Sequence, residues 1–275
     1  MVSGLLEDKT VDPAVVVLDQ DGRFAISLVS GHIGGANELA RKVARITGGQ
    51  AVITTASDLQ DRPAIDLAAK SAGLLIENSG ILSRIQAAIL DEEPLWIFDP
   101  DELLLKHLPA DHGLRVISDF EEPGALRAGL GIWVSELLSP RSVRCLKLRP
   151  ANLVIGIGCN RGTASEEIVG FIGKKLKENR LAPLSIKRFA TLDIKSNERG
   201  LLDAARAFDR PIHFYARKKI EGIVVPNPSE TVARHVGAKS VCEASALLSA
   251  GTRELLVPKR KARNCTLAVA RVSSP

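Results

Sequence analysis

Apolar residues recur along this chain with two periods in alternation. Short runs dense in Val, Ile, Leu and Phe, at residues 14–18, 24–29, 51–54, 74–76 and 95–98, read as strands. Between most of them lie stretches with apolar residues three and four apart, at 36–47, 64–72, 81–90 and 101–107, which read as helices. In the first helix Leu39, Val43 and Ile46 share a face, while Glu38, Arg41, Lys42 and Arg45 turn away. The pattern fades over 109–140, where Glu121-Glu122-Pro123-Gly124 and Leu138-Ser139-Pro140-Arg141 carry turn residues. It resumes with strands at 152–157, 185–190, 211–215, 255–257 and 265–272, and helices at 163–178, 198–208, 229–235 and 240–250. Such alternation predicts an α/β chain of two three-layer-like domains with mainly parallel sheets, at 1–108 and 142–275, joined by a middle or linker region at 109–141.

The 275 residues, 45% hydrophobic and 25% charged, suffice for two cores. No apolar run approaches the roughly 18 to 20 residues that cross a bilayer, and the opening segment is acidic where a signal peptide is basic, so a cytoplasmic protein without membrane contact is expected. Cys145, Cys159, Cys242 and Cys265 are too scattered for a zinc knuckle or redox motif. A net charge of +5 favours acidic partners, yet aromatic residues make up only 4% and no nucleic-acid-binding motif is present. A small substrate bearing many carboxylates fits this charge as well.

Two glycine-rich turns carry the candidate chemistry. Gly31-His32-Ile33-Gly34-Gly35-Ala36-Asn37 lies where a strand ends and a helix begins, a place where backbone N–H groups are left for a carboxylate, phosphate or oxyanion. Equally, it is a tight turn with His32 bonded to the backbone. Thr54, Thr55 and Ser57 cluster at the carboxyl end of a strand as ligand-binding hydroxyls or as turn stabilisers. Asp58 is an acid–base group or a capping carboxylate, and Asn37 caps its helix or holds a ligand. The second turn, Gly156-Ile157-Gly158-Cys159-Asn160-Arg161-Gly162-Thr163, sets a guanidinium beside helix-start donors, suited to a bidentate carboxylate contact. Cys159 there has no base nearby in sequence to make it a nucleophile. Ser240 and Glu243 have capping-box spacing, Pro226, Pro228 and Ser229 suit a rigid loop with a helix cap, and Lys259-Arg260-Lys261-Ala262-Arg263 reads as a solvated basic loop able to attract acidic arms.

Gly31 to Asn37, followed by Val52-Ile53-Thr54-Thr55-Ala56-Ser57-Asp58, resembles the amino-terminal signature of the CbiG family, the cobalt-precorrin 5A hydrolases of anaerobic cobalamin synthesis. Gly156 to Thr163, then Val225-Pro226-Asn227-Pro228-Ser229 and Gly237-Ala238-Lys239-Ser240-Val241-Cys242-Glu243-Ala244, resembles that family's carboxy-terminal, CobE-like domain. The resemblance runs from about Lys9 to Arg271 and is loose between roughly Ser79 and Leu148. The chain opens on a segment similar to the interior of the usual amino-terminal domain, so the first elements of that domain are expected to be missing, leaving an open strand edge that invites self-association.

The resemblance implies opening of a ring A δ-lactone in cobalt-precorrin 5A, a macrocycle ringed with acetate and propionate arms, and loss of a two-carbon fragment as acetaldehyde. On that reading His32 and Asp58 are catalytic, the imidazole as general base and the carboxylate as its second or orienter. Substrate contacts fall to Gly34, Gly35, Asn37, Thr54, Thr55, Ser57, Gly158, Cys159, Arg161, Gly162, Thr163 and Lys259, with oxyanion donors around Gly34 to Ala36 and the ring held between the two domains. No cofactor or protein-held metal is expected, because the cobalt travels with the substrate. The alternative is a non-catalytic binding protein for corrinoid intermediates. Handover to other enzymes of the pathway and a homo-oligomer remain open to either.

Overall fold

The computed structural model describes residues 12–31, 34–53, 63–118, 129–140, 143–228 and 240–272. They divide into two compact units, Met1–Ser135 with Ser139–Arg149, and Glu136–Leu138 with Pro150–Pro275. His32, Thr54, Thr55, Ser57, Asp58 and Ser229, with the helix expected at 229–235, lie outside the described residues.

The first unit opens with strands β1 (Val15–Leu18) and β2 (Phe24–Val29), helix α1 (Ala36–Thr47) and strand β3 (Gln50–Val52). The order is β1-β2-β3, with β1 antiparallel and β3 parallel to β2. Ala25 is buried on one face of β2 against Ala40 and Ala44 of α1. The helix stops at Gly48, whose left-handed φ of 71° a side chain would strain. A second sheet is built from α2 (Ile65–Ser71), β4 (Leu74–Ile76), α3 (Leu82–Leu90), β5 (Leu95–Phe98), β6 (Leu114–Val116), β7 (Leu130–Val134) and β8 (Arg144–Pro150), in the order β4-β8-β7-β5-β6. Its β6, β5, β7 and β8 run parallel, over a core that includes Ile65, Ile85, Ile97, Ile132 and Leu146.

This sheet differs from the sequence reading in three places. Residues 109–141, read as a linker, supply β6 and β7, and every residue of β7 is buried. The units divide at Arg149/Pro150 rather than near Ser142 because β8 completes the first unit's sheet. The helix read at 101–107 contracts to one 3-10 turn, Leu105–His107. The buried Asp99 carboxylate accepts the Leu103, Leu104 and Leu105 amides at 2.9, 2.7 and 3.0 Å, offering the backbone an alternative to helical bonding.

The second unit holds β9 (Leu153–Cys159), α4 (Ser165–Glu178), β10 (Ile186–Leu192), α5 (Arg199–Ala207), β11 (Ile212–Tyr215), α6 (Arg217–Glu221), α7 (Val241–Ala250), β12 (Val257–Lys261) and β13 (Cys265–Arg271). The order is β11-β10-β9-β13-β12. The first three strands are parallel, and β13 and β12 complete the sheet in antiparallel fashion. Alternation along β9 sorts its side chains: Leu153, Ile155 and Ile157 join Ile168, Phe171 and Ile172 of α4 and Leu201 of α5, whereas Val154 joins Cys242, Ala246 and Ala250 of α7. Three layers result, α/β/α, with the α7 side lined almost wholly by small residues. Among the described residues no helix is long and apolar enough to cross a membrane.

Gly156 sits under α7, and a Cβ there would lie 1.8 Å from the Cys242 carbonyl oxygen and 2.8 Å from Ala246 Cβ. We predict that Gly156→Ala lifts α7 from the sheet and destabilises the chain by about 1–3 kcal/mol or more, the usual scale of overpacking. Urea unfolding checks this, with Gly170→Ala, on α4 with open space around it, as the tolerant control.

Candidate functional site

A cavity of about 520 Å³ opens in the second unit where β9 and β10 end, α7 begins and β12 turns into β13. Gly158, Cys159 and Asn160 form one wall, Thr191, Leu192, Ile194 and Lys195 a second, Ser240, Val241 and Cys242 a third, and the β12–β13 hairpin closes the last with Lys259, Lys261, Arg263, Cys265 and Thr266. Such a place, beyond the carboxyl ends of parallel strands, is where open α/β sheets bind ligands. Four cationic side chains and no carboxylate are among the described lining residues, and the start of α7 adds amides that have no intrahelical acceptor and a partial positive charge. The cavity therefore favours an anion.

Two carboxylates behind the lining hold its walls. Glu198 accepts the Gly162 amide and the Lys195 ammonium, each at 3.1 Å. These contacts, the Gly162 amide foremost, keep its carboxyl below the usual carboxylate range. The fully buried Glu243 accepts the Asn227 amide at 3.1 Å, Asn227 Nδ2 at 2.8 Å and the Lys259 amide at 3.0 Å. Glu243 thus ties α7, the loop at 227 and β12 together instead of closing a capping box: Ser240 makes no side-chain cap bond. Asn160 and Asn264 pair through backbone (2.8 Å) and side chains (3.1 Å), joining the β9 turn to the hairpin.

Two family profiles match this chain: residues 153–270 match "Cobalamin synthesis G C-terminus" and residues 1–58 match "Cobalamin synthesis G N-terminal". A cobalt-precorrin-5A hydrolase of Priestia megaterium is 34% identical over 278 residues, 98% of this chain and 74% of that protein. The chain belongs to the CbiG family. A second such hydrolase, of Salmonella typhimurium, is 30% identical over 91% of this chain and 73% of its own length. The Protein CobE of a Sinorhizobium species is 36% identical over 112 residues, 40% of this chain and 73% of that protein.

In this CbiG chain Gly158, Cys159 and Lys259 line one cavity. Arg161 and Gly162 are exposed in the adjoining turn, and Gly162 has a left-handed φ of 72°. Thr163 is buried, its Oγ1 donating to the Asn160 carbonyl at 2.8 Å, so it shapes the turn. In the first unit Gly34 and Gly35 lead into α1: a Cβ on Gly34 would lie 2.4 Å from Ser30 Cβ, and Gly35 has φ 83°. The Ala36 amide, assigned by sequence to an oxyanion, donates to the Ser30 carbonyl at 3.1 Å. Asn37 is buried and its Oδ1 accepts Ser27 Oγ at 2.5 Å, pinning α1 to β2.

Thr191, Lys195 and Thr266 belong to no motif in the sequence and come to the cavity only through the order of the strands. Glu198, the residue before α5, is likewise marked by no motif. The basic run from Lys259 is not a free loop: its first half is the edge strand β12. Burial raises the thiols of Cys159 and Cys242 and pushes that of Cys265 up to about 11, so all three are neutral near pH 7, which disfavours a cysteine nucleophile. Among the described residues no cluster of three or more His, Cys, Asp or Glu could hold a metal ion.

Glu198 sets a pH test. Its folded-state pKa lies below its unfolded one, about 4.3, so its contribution is complete above that value and is lost as pH falls through the folded-state pKa. The stability gap between the wild-type chain and Glu198→Gln, from denaturant unfolding, is expected to be widest above about pH 5 and to narrow toward pH 3; a gap independent of pH contradicts the assignment.

Proposed function

We propose that this chain is a cobalt-precorrin 5A hydrolase, opening the ring A δ-lactone of a corrinoid intermediate and releasing a two-carbon fragment as acetaldehyde, with the cobalt carried by the substrate. Family membership and the 34% identity to a named hydrolase over nearly the whole chain support the activity. The observation that carries the binding part is the cavity at the β9 terminus: Lys195, Lys259, Lys261 and Arg263 converge there with the start of α7. At about 520 Å³ it suits an edge of a macrocycle with its carboxylate arms. Arg161, exposed beside it, extends the basic rim.

Lactone opening requires water to add to the ester carbonyl, a group to take the water proton, and donors for the oxyanion. We assign the proton to His32, with Asp58 second or orienting it, and substrate hydrogen bonds to Thr54, Thr55 and Ser57. The ring oxygen then leaves as a hydroxyl and the carbonyl carbon becomes a carboxylate.

A second reading has its own support, because every described residue lining the cationic cavity belongs to the second unit, whereas the acid–base residues are assigned to the first: a non-catalytic corrinoid-binding protein. Incubation of the purified chain with cobalt-precorrin 5A separates the two. Catalysis releases acetaldehyde, and loss of at least about a hundredfold in rate on His32→Ala with binding retained is expected of a general base. Spectral perturbation of bound substrate without acetaldehyde supports the binding reading and overturns the hydrolase. Binding is also expected to weaken steeply with salt, and to disappear when the carboxylates of a corrin are methyl-esterified.

A further inference from the structure

Cys159 closes β9 and Cys265 opens β13, and the two are direct partners across the antiparallel pair. One rung outward, the Asn160 amide donates to the Asn264 carbonyl at 2.8 Å, so Asn160 and Asn264 form a hydrogen-bonded pair. Antiparallel ladders alternate, which makes Cys159–Cys265 a non-hydrogen-bonded pair, the kind with the closer side chains and a Cα separation of about 4.5 Å. Disulfides bridge Cα separations of roughly 4.4–6.8 Å. Both thiols are free, each carries on its strand's inward-facing row, and the charge of one is felt by the other. Cys265 is 2% exposed, whereas Cys159 is partly exposed and both line the cavity.

We propose that Cys159 and Cys265 are a two-electron oxidation site that closes as a cross-strand disulfide at the wall of the cavity. The oxidant is a low-molecular-weight disulfide such as oxidised glutathione. The minor thiolate fraction of Cys159 attacks one glutathione sulfur, slowly near neutral pH because burial raises that thiol and faster as pH rises, forming a mixed disulfide and releasing one glutathione thiolate. Cys265, neutral at rest, then loses its proton in an equally pH-dependent step, and its thiolate attacks Cys159 Sγ and expels the second glutathione. The two protein thiols are oxidised, the glutathione disulfide is reduced to two thiols, and the two protons from the cysteines end on them. The accessible Cys159 is the point of entry and Cys265 the resolving group. Closure cross-links the β9 terminus to the hairpin that supplies Lys259, Lys261 and Arg263. The site stands on strand register and is independent of the activity proposed above.

The test treats the folded full-length chain with oxidised glutathione, blocks remaining thiols after denaturation, and maps the peptides. The four thiols of the sequence are expected to fall to two, with one cross-linked peptide joining Cys159 to Cys265. Cys265→Ser is expected to stop at a glutathione adduct on Cys159, and Cys159→Ser to yield no cross-link to Cys265. Should Cys265→Ser fail to fold, the wild-type peptide map decides alone. Four surviving thiols, or a bridge that uses Cys242 or Cys145, overturns the proposal.

Discussion

The functional architecture depends on how closely α7 approaches β9. Gly156 leaves no atom between the strand and the Cys242 carbonyl, and Ala190, Ala246, Ala250, Ala268 and Ala270 keep the surrounding layer thin. That contact fixes the depth at which the helix starts. Because Cys242 is in its first turn, the same contact places the amides of Ser240 to Cys242 against the carboxyl end of β9. A side chain at 156 would displace the helix start, and the anion-favouring end of the cavity with it.

The remaining walls follow from antiparallel closure of an otherwise parallel sheet. β13 runs opposite to β9, so its first residues, not its last, lie at the ligand end. The hairpin therefore delivers its lysines and arginine to the place that the parallel strands already favour. Glu198 and Glu243 stand behind this surface and accept backbone or ammonium donors from its walls. Glu198 also pairs with the Lys195 ammonium, while no carboxylate is among the described residues lining the cavity beside Lys259, Lys261 and Arg263.

Elements whose pattern is local were legible in the sequence. α1 and β2 fall on the expected residues, and α4 starts two residues later than read because Ala164 is still extended. Elements defined by distant partners were not. β8 looks too charged for a core strand, yet Arg149 is wholly buried because Glu77 and the Ser135 carbonyl receive its guanidinium. β12 hides in a basic run, since lysines are common on exposed edge strands. In β7, Gly131 makes room for the Trp96 indole, whose ring atoms would lie 2.1 Å from a Cβ. The glycine turn at 158–163 was found from its pattern, whereas Thr191 and Lys195 depend on β10 lying beside β9.

Hydrogen exchange of the intact chain, with and without a corrin bearing free carboxylates such as cobyrinic acid, tests the central claim most directly, because it locates the ligand without assuming catalysis. Slowed exchange is predicted in the turn at 158–163, the start of α7 and the β12–β13 hairpin. Saturating binding with exchange unchanged in all three segments would contradict this account.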